Sequence, residues 1–337
     1  MNGTGNWTGT DIPSYTTGLV AVYFILATIT GVALNLMTIF ALAFGRNINK
    51  EVRIQLINLA VADMVMAAFF PTSMMTDNIL YFPFQGSVTW CTLSIGMSLV
   101  GAKASILSTA AIGLERVIVL YVPLRSTRYG KTGKCVVVAV IWLIAIVPEA
   151  LTVAPSTLMV HPNGNTYCEI GLTIDMKYYQ WLDAAQHTIP TVIILLSYTL
   201  IAFKLCIRKR SDIVREHSTD PHSKAIFRLQ IMLAVDALLT LIAWLPRNFY
   251  FAIFANSDAG WRENTLGTFI EDACLAALSS TNAFCTPIVY LIFNKYFRMD
   301  VKLLFQRLPC YKSSTKTILA KQPNKVEEGS EATTERT

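Results

Sequence analysis

From Leu19 to Phe44 the chain runs 26 residues without a charged side chain. A helix of about 20 apolar residues is long enough to cross a bilayer, and few soluble folds can bury such a run. Comparable stretches recur at about residues 52–76, 91–116, 135–154, 178–207, 226–254 and 265–292, each with only a few ionisable groups. Seven of them predict an all-α membrane protein, a seven-transmembrane helix bundle forming one domain over residues 19–292. The third stretch organises the others. On a helix rising ~1.5 Å per residue, its ends lie roughly 37 Å apart, somewhat more than the hydrocarbon thickness. It begins at Cys91, ends at Glu115-Arg116, and carries one charge between them, Lys103.

Composition agrees with this reading. The chain is 53% hydrophobic and 15% charged, where a soluble domain holds about 25% charged residues. The placement of the cations says more than the net charge of +6. When the stretches between apolar runs are assigned alternately to two sides, one side holds 23 of the 28 Lys and Arg, and the other holds only Lys177 and Arg262. Positive charge marks the cytoplasmic side. The expectation is therefore an N-terminus outside and a C-terminus in the cytoplasm of a multi-pass plasma-membrane protein. Cations divided among short loops exclude a nucleic-acid-binding surface.

Residues 1–18 read as an extracellular tail. Asn2-Gly3-Thr4 and Asn6-Trp7-Thr8 are glycosylation sequons at Asn2 and Asn6. No basic segment precedes the first apolar run, so that run is expected to be its own signal anchor. After the seventh span, Phe297, Val301, Leu304, Phe305 and Leu308 repeat at helical spacing with Arg298, Lys302 and Gln306 among them. This predicts an amphipathic eighth helix over residues 293–308, lying on the inner membrane surface against lipid. Cys310 follows as a palmitoylation candidate. Residues 309–337 are polar and read as a disordered cytoplasmic tail.

Cys91 and Cys168 fall on the outer side, where disulfides persist. Before Cys168, the turn residues Pro162-Asn163-Gly164-Asn165 separate two short strand-like runs. The reading is a β-hairpin tied to the head of the third helix. Cys135, Cys206, Cys274 and Cys285 lie in or beside apolar segments and read as small packing residues.

The marked residues together resemble a rhodopsin-like (class A) G-protein-coupled receptor over about residues 19–308. Asn35 sits in Gly-Val-Ala-Leu-Asn of the first span, and Asp63 closes Leu-Ala-Val-Ala-Asp in the second. Cys91 and Arg116 have the third-helix spacing, and Trp142 marks the fourth span. Pro190 and Tyr198 mark the fifth, Trp244-Leu245-Pro246 the sixth, and Pro287-Ile288-Val289-Tyr290 the seventh. The chain departs from the family pattern in several places. The acid–Arg–Tyr triplet is Glu115-Arg116-Val117, Thr286 replaces the usual Asn, and Thr240 replaces an aromatic. No acid stands near Ile226, and the sixth span carries Asp236.

The resemblance implies roles for these residues. Glu115, Arg116, Tyr198 and Tyr290 form the G-protein coupling switch, in which Glu115 restrains Arg116 until the sixth helix swings outward. Pro246 and Pro287 are hinges, because proline cannot complete the backbone ladder, and Trp244 is a toggle beside the first. Asp63, Ser105 and Asn282 form a deep polar cluster that holds either an allosteric sodium ion or a water network. No other cofactor is implied. Asp236 either pairs across the bundle with Asn282 or Thr286 or stays a lone buried acid. Partners are an extracellular ligand, a heterotrimeric G protein, and arrestin and a receptor kinase at the tail.

An ionisable group within a span marks a functional site by default. Ser98, Lys103, Asp183, His187, Arg247, Asn248, Glu271 and Asp272 have the depth of a ligand pocket in the outer half. Lys103 faces either a ligand anion or an internal acid, Glu149 or Asp183. Ser98 stands where amine receptors carry an Asp, which argues against an amine. Ser280 stands at the retinal-lysine position, and the seventh span has no Lys, so the chain does not read as an opsin. Mixed charge and the hairpin favour a peptide, as for a neuropeptide receptor. The alternatives are a lipid or small acidic metabolite with Lys103 or Arg247 as counter-ion, or a transporter. No inverted repeat and no catalytic motif such as HExxH is present, so neither transport nor an enzyme is favoured.

Overall fold

The computed structural model describes residues 14–46, 48, 50–76, 87–122, 130–160, 166–214, 221–256 and 266–307. Eight helices and one hairpin appear among them. The helices are α1 (Ser14–Phe44), α2 (Lys50–Thr76), α3 (Val88–Tyr121), α4 (Lys131–Thr152), α5 (Met176–Val214), α6 (Pro221–Asn256), α7 (Leu266–Phe293) and α8 (Lys295–Arg307). The hairpin strands are β1 (Val153–Val160) and β2 (Thr166–Leu172). Helices α1 to α7 are all long and apolar enough to cross a membrane, and α8 follows as a separate short helix. The expected bundle is therefore present. Asn2, Asn6, Cys310 and the turn at residues 161–165 lie outside the described residues.

Several helices run past their apolar runs. α1 starts at Ser14, inside the expected tail, α5 continues to Val214, and α6 begins at Pro221. Helical hydrogen bonding does not stop where the apolar run stops, so polar residues such as Ser14 to Gly18 extend a helix beyond it. α4, in contrast, ends at Thr152, and the chain turns directly into β1. β1 pairs antiparallel with β2, placing Leu158 opposite Cys168. Cys168 is bonded to Cys91 in the first turn of α3, so the hairpin is fastened to that helix.

α3 lies at the centre, packed against α2, α4, α5, α6 and both strands. Its N-terminus is capped by Ser87, whose hydroxyl accepts from Trp90 N at 3.2 Å. Small residues set how closely the helices approach. A Cβ on Gly101 would lie 2.7 Å from Met66 N, and one on Gly31 would lie 2.6 Å from the Ala67 Cβ. In lipid, apolar side chains gain little by turning inward, so close backbone approach and buried polar bonds hold helices together. Asn35 Nδ2 donates to Gly31 O and, across to α7, to Ala283 O at 2.5 Å. Asn58 joins three helices: its Nδ2 donates to Ser108 Oγ, and its Oδ1 accepts from Trp142 Nε1, both at 2.8 Å. The outward faces instead carry exposed Leu19, Val22, Leu143, Leu196 and Phe203, as lipid contact requires.

Two sequence readings need correction. Cys135, Cys206 and Cys274 are exposed rather than packed inside, and Cys285 is half-buried. A helix that is apolar all round does not indicate which face turns inward. The α8 stripe also divides: Phe297 and Val301 are buried against the inner core with Leu42 and Tyr290, while Phe305 is exposed. α8 is docked on the bundle through one face and exposes Tyr296, Met299, Leu303 and Phe305 on the rest. Asn294 Oδ1 caps it by accepting from Tyr296 N and Phe297 N, and Asp300 accepts from Arg46 N at 3.0 Å.

Candidate functional site

Along α3 the polar residues form three levels. The outer level surrounds a cavity of about 200 Å³ whose wall includes Ser98, Asp183, His187, Trp244, Arg247 and Asn248. These side chains come from α3, α5 and α6, and each was expected in a pocket or as the toggle. Arg247 lies over the Phe70 ring, 5.3 Å from its centroid, a cation–π contact. Trp244 packs edge-on against Phe70 and beside His187, with ring centroids 6.3 and 5.4 Å apart. His187 Nδ1 lies 3.0 Å from the Asp183 carbonyl, which can only accept, so Nδ1 carries the proton. Nε2 of His187, Nε1 of Trp244 and Nδ2 of Asn248 have no hydrogen-bond partner among the described residues.

Three pocket candidates do not line this cavity: Lys103, Glu271 and Asp272. Glu271 is exposed and Asp272 half-buried near the outer end of α7. Lys103 is 1% exposed and faces two acids, one of which, Asp183, lines the cavity. Its Nζ pairs with Glu149 Oε1 on α4 and with Asp183 Oδ1 on α5, the latter at 3.0 Å. Tyr179 adds a hydroxyl 3.4 Å from Glu149 Oε2. The two alternatives for Lys103 thus resolve to internal pairing, with both acids at once. A cation this deep is tolerated only when paired, and one cation between two carboxylates ties α3, α4 and α5 together.

The middle level is the Asp63 cluster. Ser105 Oγ donates to Asp63 Oδ1 at 2.5 Å, and Asn282 Nδ2 donates to Ser105 Oγ at 3.2 Å. Asp63 is wholly buried, and its Oδ2 has no hydrogen-bond partner among the described residues. The Thr286 hydroxyl faces both Asp63 and Asp236, so Thr286 links the second acid to this cluster. Thr240 turns its hydroxyl back to the Asp236 carbonyl at 3.0 Å.

The inner level contains Arg116, which is buried. Its Nη2 lies 3.7 Å from Glu115 Oε1, past hydrogen-bonding reach. The same oxygen is paired with Nζ of Lys134 on α4. Tyr198 packs on α3 at Gly113, where a Cβ would stand 3.1 Å from the ring. The buried Tyr290 stacks edge-on with Phe297 at 5.9 Å, and its hydroxyl has no partner among the described residues. The side chains of Lys224 and Ile226 lie outside the described residues.

Sequence reasoning missed Lys134, Asn58, Tyr179 and Tyr23. Tyr23 donates to Ala277 O at 2.7 Å and lies 3.0 Å from Ser280 Oγ, the position where an opsin would carry its lysine. A usable signal existed for Asn58: an amide inside an apolar span must find partners. Lys134 gave none, because a lysine beside a loop reads as a topology marker.

Comparison with known proteins follows the same pattern. The description "7 transmembrane receptor (rhodopsin family)" matches residues 34–290. The rhodopsin of Lethenteron camtschaticum is 24% identical over 297 residues, covering 83% of this chain and 78% of the relative. The Substance-K receptor of Canis lupus familiaris is 24% identical over 319 residues, covering 91% of this chain and 80% of the relative. The green-sensitive opsin of Gallus gallus is 26% identical over 289 residues, covering 83% and 78%.

Proposed function

The chain belongs to the rhodopsin family of seven-transmembrane receptors, and on that premise we propose that it binds a peptide in the outer half of the bundle and signals through Arg116. Members of this family are receptors coupled to G proteins, not enzymes, so an extracellular ligand and a heterotrimeric G protein are its partners. The finer reading places the receptor in the plasma membrane, N-terminus outside, with arrestin and a receptor kinase acting on the tail.

The observation that carries the peptide reading is the cavity wall. It presents an acid, Asp183, and a base, Arg247, with His187 and Asn248 between them in size and polarity. At about 200 Å³ it is smaller than the ~300–1,000 Å³ of typical small-molecule sites. Such a volume suits one anchoring residue of a longer ligand lying across the outer face. Similarity to a Substance-K receptor supports the same choice. Retinal is not proposed, because α7 has no lysine to hold it. Lys103 is not a ligand counter-ion, since both its acids are within the protein.

The test is a library of peptides, small acids and lipids applied to cells expressing the receptor, with second messengers as readout. Peptides are expected to activate it, and Asp183→Asn and Arg247→Gln to weaken the response. Activation by an acid or lipid, with every peptide silent, would refute the peptide reading.

For the middle level we propose a sodium ion held by Asp63 and Ser105. The residues fit: Asp63 Oδ2 is buried without a partner among the described residues, and hydroxyls of Ser105 and Thr286 stand beside the same carboxylate, that of Ser105 on Oδ1. When bound, the ion supplies positive charge that compensates the buried acids. Asp63→Asn is expected to abolish any sodium dependence of agonist affinity while the receptor still reaches the surface. Unchanged sodium dependence in that variant would leave Asp63 as a structural hydrogen-bonding group.

A further inference from the structure

We infer that Lys134 is a positioning residue of the coupling switch: it holds the Glu115 carboxylate and so keeps Arg116 only loosely restrained at rest. The inference rests on the coupling reading above. Lys134 lies in the first turn of α4 and is buried. A buried lysine needs a counter-charge, and a helix N-terminus is the end that disfavours a cation. Its partner is Glu115 Oε1.

Among the described residues, that same oxygen is the acid paired with Arg116, at 3.7 Å from Nη2. Neither Glu115 Oε2 nor Arg116 Nε has a hydrogen-bond partner among the described residues. A strong carboxylate–guanidinium contact uses two parallel bonds, and this one has none within hydrogen-bonding distance. One carboxylate is therefore divided between two cations and sits on the lysine. The sequence supplies no acid near Ile226 to take its place.

Removing Lys134 releases Glu115 to close on Arg116 with both oxygens, which deepens the resting state. Removing Glu115 frees Arg116 and leaves two buried cations facing each other. The two substitutions should therefore move basal signalling in opposite directions. A lysine that merely supports Glu115 would move it in the same direction, so the sign decides.

The experiment measures ligand-independent second-messenger output at matched surface expression in cells carrying the full chain. The variants are Lys134→Met, Lys134→Gln, Lys134→Arg, Glu115→Gln, Glu115→Gln with Lys134→Met, and Arg116→Ala. Lys134→Met should lower output per receptor about fivefold, the lower end of ordinary coupling between sites. Lys134→Gln should do the same if the Met variant fails to reach the surface. Lys134→Arg, which keeps the cation, should restore the parent's output. Glu115→Gln should raise output, and the double variant should follow it, since no carboxylate remains to close on Arg116. A rise or no change in both Lys134→Met and Lys134→Gln overturns the inference while leaving the coupling reading intact. Output from Arg116→Ala equal to the parent overturns both.

Discussion

Replacing Lys103 by Met would test whether α3, α4 and α5 are held together by charge. Lys103 is buried between Glu149 and Asp183. Removing it strands Glu149 and leaves Asp183 beside the His187 ring, whose Nδ1 lies 3.6 Å from Oδ1, whereas removing either acid leaves a neutral pair. Loss of one partner from a buried ion pair costs about 3–5 kcal/mol, because the remaining charge is left desolvated. Glu149, 4% exposed, should incur most of that cost, and Asp183, 26% exposed at the cavity wall, a smaller share. The effect of Lys103→Met should then exceed that of Glu149→Gln, which leaves Lys103 with Asp183. The triple variant Lys103→Met, Glu149→Gln, Asp183→Asn should recover most of the loss, since it buries no charge at all. The assay is the thermal inactivation midpoint of purified receptor in one detergent. Equal destabilisation by Glu149→Gln and Lys103→Met, or a triple variant no better than Lys103→Met alone, would refute the charge accounting.

Cys91→Ser or Cys168→Ser should release the hairpin and reduce surface expression or ligand binding, read by surface labelling and ligand-response assays; mature protein with both thiols free in non-reducing peptide mapping would contradict the bond. Gly101→Ala should push α2 from α3, because the new Cβ meets the Met66 backbone at 2.7 Å. Overpacking of this kind costs about 1–3 kcal/mol, so a lowered inactivation midpoint is expected, and an unchanged one would refute the close-approach argument.

The sequence made the bundle legible because hydrocarbon thickness imposes length and charge rules on every span. Ordered landmarks such as Asp63, Arg116, Trp244 and Pro287 then located the levels along it. The hairpin was readable because turn residues separate its two strands and Cys168 needed a partner outside the membrane. What stayed hidden depends on which helix faces which. Lys103 read as facing either a ligand or one acid, but only packing brings two acids to one nitrogen. Lys134 read as a topology marker, but the approach of α4 to α3 turns it onto Glu115. The inward faces of α4 and α5 were equally unreadable, so Cys135 and Cys206 were misjudged. Helix ends such as Ser14 and Val214 exceeded the apolar runs because hydropathy marks the membrane rather than the last hydrogen bond.

The central claim is that Arg116 passes the signal to a G protein from a loosely restrained resting state. Its most direct test is nucleotide exchange on purified heterotrimeric G proteins by the purified receptor in lipid nanodiscs, without ligand. The account predicts exchange above the Arg116→Ala baseline for the parent, and faster exchange for Glu115→Gln. Parent, Glu115→Gln and Arg116→Ala all at the same rate, across every G-protein class, would contradict it.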